Sequence, residues 1–125
     1  MHIEMFGSGQ PLVIIGGLPQ QPSDLRPLGE ALANEFRIAL VHLPGYGRTP
    51  SPSVPYDLAS VQQELARDIV AAVDGEPVWL VGMSGGSYRC FDLVIERGLA
   101  ARGIFNMGPL PFIHDENRAA LAGYA

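Results

Sequence analysis

The sequence predicts an open α/β fold, a mostly parallel sheet with helices on both faces. Three observations lead there: apolar runs at residues 11–15, 36–43, 78–81 and 104–107, helical periodicity between them, and a Gly- or Pro-rich stretch after most of them. Strands that alternate with helices specify a parallel sheet, and the right-handed crossovers follow from strand twist. The Gly-rich stretches after Ile15, after Leu43, around Ser84 and after Met107 all fall on one edge. That edge, at the C-terminal strand ends, is where such sheets bind ligands.

Residues 2–6 alternate weakly in polarity and stop at Gly7 and Gly9, which suits a short edge strand. Residues 11–15 form an unbroken β-branched run closed by Gly16 and Gly17, the pattern of a central strand covered on both faces. Ser23 or Asp24 is the expected N-cap of a helix reaching about Glu35, with Leu25, Leu28, Leu32 and Phe36 on one face and Pro27 in its first turn. Residues 36–43 form the next strand, and Pro44 to Pro55 a loop. Asp57 then caps a long helix carrying Leu58, Val61, Leu65, Ile69, Val70 and Val73, stopped by Asp74 and Gly75. Residues 78–81, between Pro77 and Gly82, read as a buried strand, and an amphipathic helix starts at Gly85 and Gly86. A fifth strand is expected at residues 104–107, and residues 115–121 have the character of another helix.

Composition narrows the function classes. With 125 residues, 47% hydrophobic and 17% charged, the chain is one domain able to bury a core. A net charge of -5 with 8 scattered Lys and Arg residues gives no electrostatic footprint for nucleic acid. Cys90 is the single cysteine, so an internal disulfide and a cysteine-based metal site are excluded, and its place in the helix after Ser84 predicts a packed core thiol. No basic stretch followed by a long apolar run opens the sequence, and no segment approaches a membrane span. A cytoplasmic protein without a membrane partner is expected.

The stretch that carries chemistry is Gly82-Met83-Ser84-Gly85-Gly86, which matches G-x-S-x-G. Small flanking residues let a strained turn between strand and helix push a serine hydroxyl out at the sheet's C-terminal edge. The helix that follows aims its free amides and positive dipole end at that hydroxyl, ready to stabilise an oxyanion. A Gly-rich turn in this setting also cradles phosphates, so a non-catalytic module binding a small ligand or anion through the same strand-end amides is the alternative. A dinucleotide site is weaker still, because Gly7/Gly9 and Gly45/Gly47 lack the third glycine and helix start of G-x-G-x-x-G.

With these residues in view the chain resembles the N-terminal half of the α/β-hydrolase superfamily. Residues 13–19 (VIIGGLP) look like that family's strand and oxyanion loop, residues 43–50 (LPGYGRTP) are similar to its L-P-G-x-G-x-S loop, and residues 82–86 complete three motifs in order. The resemblance implies a serine hydrolase acting on an ester or related acyl bond of a small-molecule substrate, without a cofactor. Ser84 matches the nucleophile, and the backbone N–H groups of Leu18 and Gly85 match the two oxyanion donors. Gly16 and Met83 stand where histidines are frequent, and His42 where an aspartate often precedes L-P-G.

Serine needs a base to take its proton, and the base needs an acid to orient it. In this superfamily the acid and then the histidine follow the nucleophile. After Ser84 the acids are Asp92, Glu96, Asp115 and Glu116, and the only histidine is His114. Asp92 and Glu96 lie roughly 12 to 18 Å along the helix from Ser84 and read as solvated charges. His114 is expected to be a loop histidine, and His2 and His42 structural. The triad is therefore incomplete in this chain, which reads as a partial hydrolase domain over 1–125 lacking the C-terminal strands, with about 112–125 the start of a lid or cap. Its last parallel strand would leave an exposed edge open to self-association or to complementation by a second chain. A truncated enzyme, a complemented half and a short binding protein are the readings, and the first is the one adopted.

Overall fold

The structure is a computed structural model that describes residues 1–108. The unbroken apolar run lies at its centre. Eight elements follow one another: β1 (His2–Gly7), β2 (Gln10–Ile15), α1 (Pro22–Leu32), β3 (Phe36–His42), α2 (Leu58–Ala72), β4 (Val78–Met83), α3 (Gly85–Ile95) and β5 (Ala101–Met107). They build a sheet in the order β1-β3-β2-β4-β5, with β2 in the middle and Pro11 through Ile15 all buried. β2, β3, β4 and β5 are parallel, and β1 runs antiparallel against β3 with His2 opposite His42.

Alternation along the strands divides the core in two. Val13, Ile15, Ala39, Val41 and Leu80 pack against Leu65 and Ile69 of α2, Val73 just after it, and Cys90 and Leu93 of α3. On the other face Leu12, Ile14, Ile38, Leu40 and Val81 pack against Leu25 of α1. Each fully buried Ile or Leu contributes about 1.5–3 kcal/mol, so this two-sided layer fixes which edge of the sheet presents the turns.

Several local expectations are corrected. The first helix starts at Pro22, not after Ser23 or Asp24. Pro suits a first helical position, and the Asp24 carboxylate accepts the backbone N–H of Gln21 at 2.7 Å. Ending at Leu32 instead of Glu35, this helix holds Pro27 at its sixth residue, beyond the first turn. Asp57 caps α2 as expected, accepting from Ser60 N at 2.6 Å, but only Val61, Leu65, Ile69 and Val73 of the expected face are buried, while Leu58 and Val70 are exposed. Strand β5 begins at Ala101, three residues before the apolar run, and Trp79 within the expected buried strand is partly exposed. The expected lid over 112–125, the helix at 115–121 and His114 lie outside the described residues.

Candidate active site at the strand ends

Ser84 stands between the last residue of β4 and the first of α3 with φ 50° and ψ -117°, a conformation that L-residues seldom adopt and that costs of order 1–3 kcal/mol. The surroundings hold it there. Its backbone N–H donates to Met107 O at 2.9 Å, extending the β4–β5 ladder into the turn, and its carbonyl accepts from Ser87 N at 2.9 Å. The buried Ser87 hydroxyl donates to Gly82 O at 2.9 Å, tying the strand end to the helix start. Spacing of the glycines now has a physical cause: a Cβ on Gly86 would lie 2.1 Å from Ile15 O, and one on Gly82 would lie 2.7 Å from Ser87 Cα. Ser84 and Gly85 are exposed, and the serine side chain does not fold back to cap α3.

The turn after β2 packs against this elbow. A Cβ on Gly17 would lie 2.7 Å from Met83 O, 2.8 Å from Gly85 N and 2.9 Å from Ser84 Cβ, so only glycine lets the two backbones approach. Gln20 N donates to Gly17 O at 2.8 Å and Gly17 N donates to the Gln20 side-chain oxygen at 3.0 Å. Among the described residues, no acceptor takes the amide of Leu18 or of Gly85. The three sequence-derived site residues, Ser84, Gly85 and Leu18, therefore belong to two turns in direct contact.

His42, Asp92 and Arg89 have partners of their own away from the elbow. His42 is buried on β3, two strands and about 10 Å from β4. Its Nδ1 accepts Arg48 N–H at 2.9 Å, its Nε2 lies 3.4 Å from Glu4 Oε2, and the His2 ring meets it edge-on at 4.6 Å. Burial pushes its pKa below the ordinary value, against the pull of Glu4. Asp92, expected to be solvated, is only 10% exposed and accepts from Gln62 Nε2 at 2.9 Å and Arg97 Nε at 3.3 Å. Gln62 is fully buried and also accepts from Arg89 Nη1 at 2.7 Å, joining α2 to α3; burial lowers the pKa of Arg89. Glu96 is exposed. Cys90 is buried and its thiol is pushed up to about 12 by desolvation, so it is inert as a nucleophile. Among the described residues no cluster of His, Cys, Asp and Glu could hold a metal ion, and no helix is long and apolar enough to cross a membrane.

Sequence reasoning missed Ser87, Gln62 and Gln20. A fully buried glutamine inside a helical pattern of Val61, Leu65 and Ile69 has no local signature, since its partners lie on α3. Gln20 follows a recognisable loop, but nothing in the pattern shows that its side chain turns back.

The family model for the alpha/beta hydrolase fold matches residues 10–124. A pimeloyl (acyl-carrier protein) methyl ester esterase of Stenotrophomonas maltophilia is 35% identical over 88 residues, covering 70% of this chain and 32% of that protein. A soluble epoxide hydrolase of a Corynebacterium is 30% identical over 112 residues, 89% of this chain and 38% of that protein. Among solved structures, a thermophilic esterase from Thermogutta terrifontis superposes with a TM-score of 0.83 at 21% identity, over 98% of this chain and 47% of that one. A haloalkane dehalogenase from Agrobacterium tumefaciens gives 0.73 at 26% identity, over 84% and 36%. The chain thus spans about a third of the length of these two curated relatives. Family match, sheet order and elbow geometry agree, and the chain belongs to the alpha/beta hydrolase fold family.

Proposed function

We propose that this chain is the nucleophile-bearing part of a cytoplasmic serine hydrolase that cleaves an ester or related acyl bond of a small molecule. One observation carries the reading: an exposed Ser84 on a strained strand-to-helix turn, with the Gly17–Leu18 turn packed against it. In the reaction, Ser84 Oγ bonds to the acyl carbon as a base takes its proton. The carbonyl oxygen becomes an oxyanion that the N–H groups of Leu18 and Gly85 hold. Collapse breaks the bond to the alcohol, which leaves with a proton, and water then releases the acid and restores Ser84. Every atom comes from Ser84, substrate and water, so the steps call for no cofactor.

Serine also separates this chemistry from that named for two of the similar proteins. Opening an epoxide or displacing a halide at Ser84 would leave an alkyl ether, which water cannot readily cleave. A carboxylate in that place would form an ester instead, which water can cleave. Acyl transfer is the reaction class a serine can complete. The base and its orienting acid come from outside the described residues in this proposal, since His2 and His42 lie on β1 and β3, two or more strands from β4, and Asp92 is bonded to Gln62 and Arg97. A reduced, buried Cys90 fits a cytoplasmic setting.

The test is labelling of the chain by a fluorophosphonate, followed by mass spectrometry. Slow labelling at Ser84, accelerated by added imidazole and absent in Ser84→Ala, is the expected result. Residual acceleration from donors and binding alone reaches roughly 10³–10⁴ over water in a serine protease stripped of its triad, so slow turnover fits as well. Labelling that persists in Ser84→Ala would end the proposal.

A further inference from the structure

Two hydrogen bonds in the turn after β2 have a consequence for the oxyanion site. Gly17 O accepts Gln20 N–H at 2.8 Å, which closes a four-residue turn through Leu18 and Pro19. The peptide joining Gly17 to Leu18 is trans, so its N–H points opposite to its carbonyl. A carbonyl drawn into the turn therefore sends the Leu18 N–H out of it. The Gln20 side chain closes the same turn from the other end: Oε1 accepts Gly17 N–H at 3.0 Å, while Nε2 lies 3.5 Å from Sδ of Met83, the residue before Ser84. The amide of Gly17 is consumed inside the turn, and the amide of Leu18 is the one left for a ligand. A Cβ placed on Gly16 would lie 3.5 Å from both Gln20 Cβ and Gln20 Oε1, so the side chain lies along the loop and not out in solvent.

We infer that Gln20 is a positioning residue for the oxyanion site: its side-chain oxygen locks the Gly17–Gln20 turn so that the Leu18 N–H faces Ser84, and its amide group ties that turn to the elbow through Met83. This rests on the reading of Ser84 as a nucleophile. The role belongs to the side chain, because the main-chain bond from Gln20 N could form with any residue other than proline. It also accounts for a loop that lacks the frequent histidine at position 16. There the glutamine supplies the acceptor, while the glycine at 16 answers to Leu25, whose Cδ1 would lie 2.8 Å from an added Cβ.

The experiment uses the full chain with Gln20→Met, which keeps the length of the side chain but removes both amide groups, and Gln20→Glu, which keeps an acceptor. Two quantities are read: the fluorophosphonate labelling rate at Ser84, and hydrogen exchange at the amides of residues 17 and 18. In the wild type, Gly17 exchanges slowly and Leu18 quickly. Gln20→Met is expected to lose the protection of Gly17 and to slow labelling by a factor approaching the roughly 100-fold that loss of an oxyanion donor costs, with the thermal midpoint nearly unchanged. Gln20→Glu restores the protection of Gly17. Wild-type labelling rates in Gln20→Met, or a Gly17 amide that exchanges as freely as that of Leu18 in the wild type, would overturn the inference. If the wild type is never labelled while Gly17 stays protected, the nucleophile reading fails, and this inference goes with it.

Discussion

At the scale of single residues, the C-terminal edge of the sheet separates groups that can react from groups that hold the loops. Ser84 is strained and exposed, while His42, on the same edge, is buried with its Nδ1 committed to Arg48 N–H. Protonation of Nδ1 would break that bond. The charged and titratable groups facing the ring are Glu4 and His2 on β1 and Arg48 on the loop, with Glu4 also paired to Arg26 of α1. Burial outweighs Glu4, so the folded pKa lies below the unfolded value of about 6.5. The folded state then binds fewer protons than the unfolded chain, and the contribution of His42 is fully present above about pH 6.5 and lost as pH falls through the lowered value. Urea midpoints measured at about pH 7.5 and 5.5 should fall more steeply for the wild type than for His42→Gln. Equal slopes would show that His42 is not held neutral.

At the scale of elements, α1 carries a defect that the fold tolerates. Pro27 is the sixth residue of the helix and is exposed, so Ser23 O lacks the N–H donor it would otherwise accept from. Interior proline costs about 3 kcal/mol, partly offset by about 0.4–1 kcal/mol through restriction of the unfolded chain, so Pro27→Ala should stabilise the protein by about 2–2.6 kcal/mol in urea denaturation. Loss of stability would mean that the ring packs in a way its exposure does not suggest. The order and type of the elements were legible because β2, β4 and the α2 face repeat their apolar residues at strand and helix intervals. The ends of elements were not. Pro22 and Asp24 start α1 through a backbone contact at Gln21, and Ala101 and Gly103 join β5 by pairing with Val78 and Trp79 across a bulge that skips Arg102, a stretch with no run of large apolar residues. For the site, G-x-S-x-G was legible because its glycines answer to collisions with the chain four and five residues away and with Ile15. Gln20 was not, because its partners are a main-chain amide and a sulfur on another strand.

At the scale of the molecule, the two flanks of the sheet differ. On the β1 side, α1 and α2 cover both faces, and the Met1 ammonium is paired with Glu64 and Asp68 of α2. On the β5 side, Trp79, Phe105 and Met107 of one face are exposed, as are Tyr88, Phe91 and Ile95 along α3. We propose that this apolar flank, beside β5, the last strand in the sheet order among the described residues, is a surface for association. Phe105 is 65% exposed, so Phe105→Lys should lower concentration-dependent association in sedimentation without lowering the urea midpoint. Association that is unchanged by this substitution would shift attention to the α3 stripe.

The one tryptophan of the chain sits on that flank, its Nε1–H bonded to Gln10 Oε1 at 2.9 Å and its ring laid across Gly103. Indole emission moves to shorter wavelength when water is withdrawn from the ring. Whatever polypeptide covers this face would therefore announce itself optically, and its affinity could be titrated by intrinsic fluorescence alone, with no dye attached.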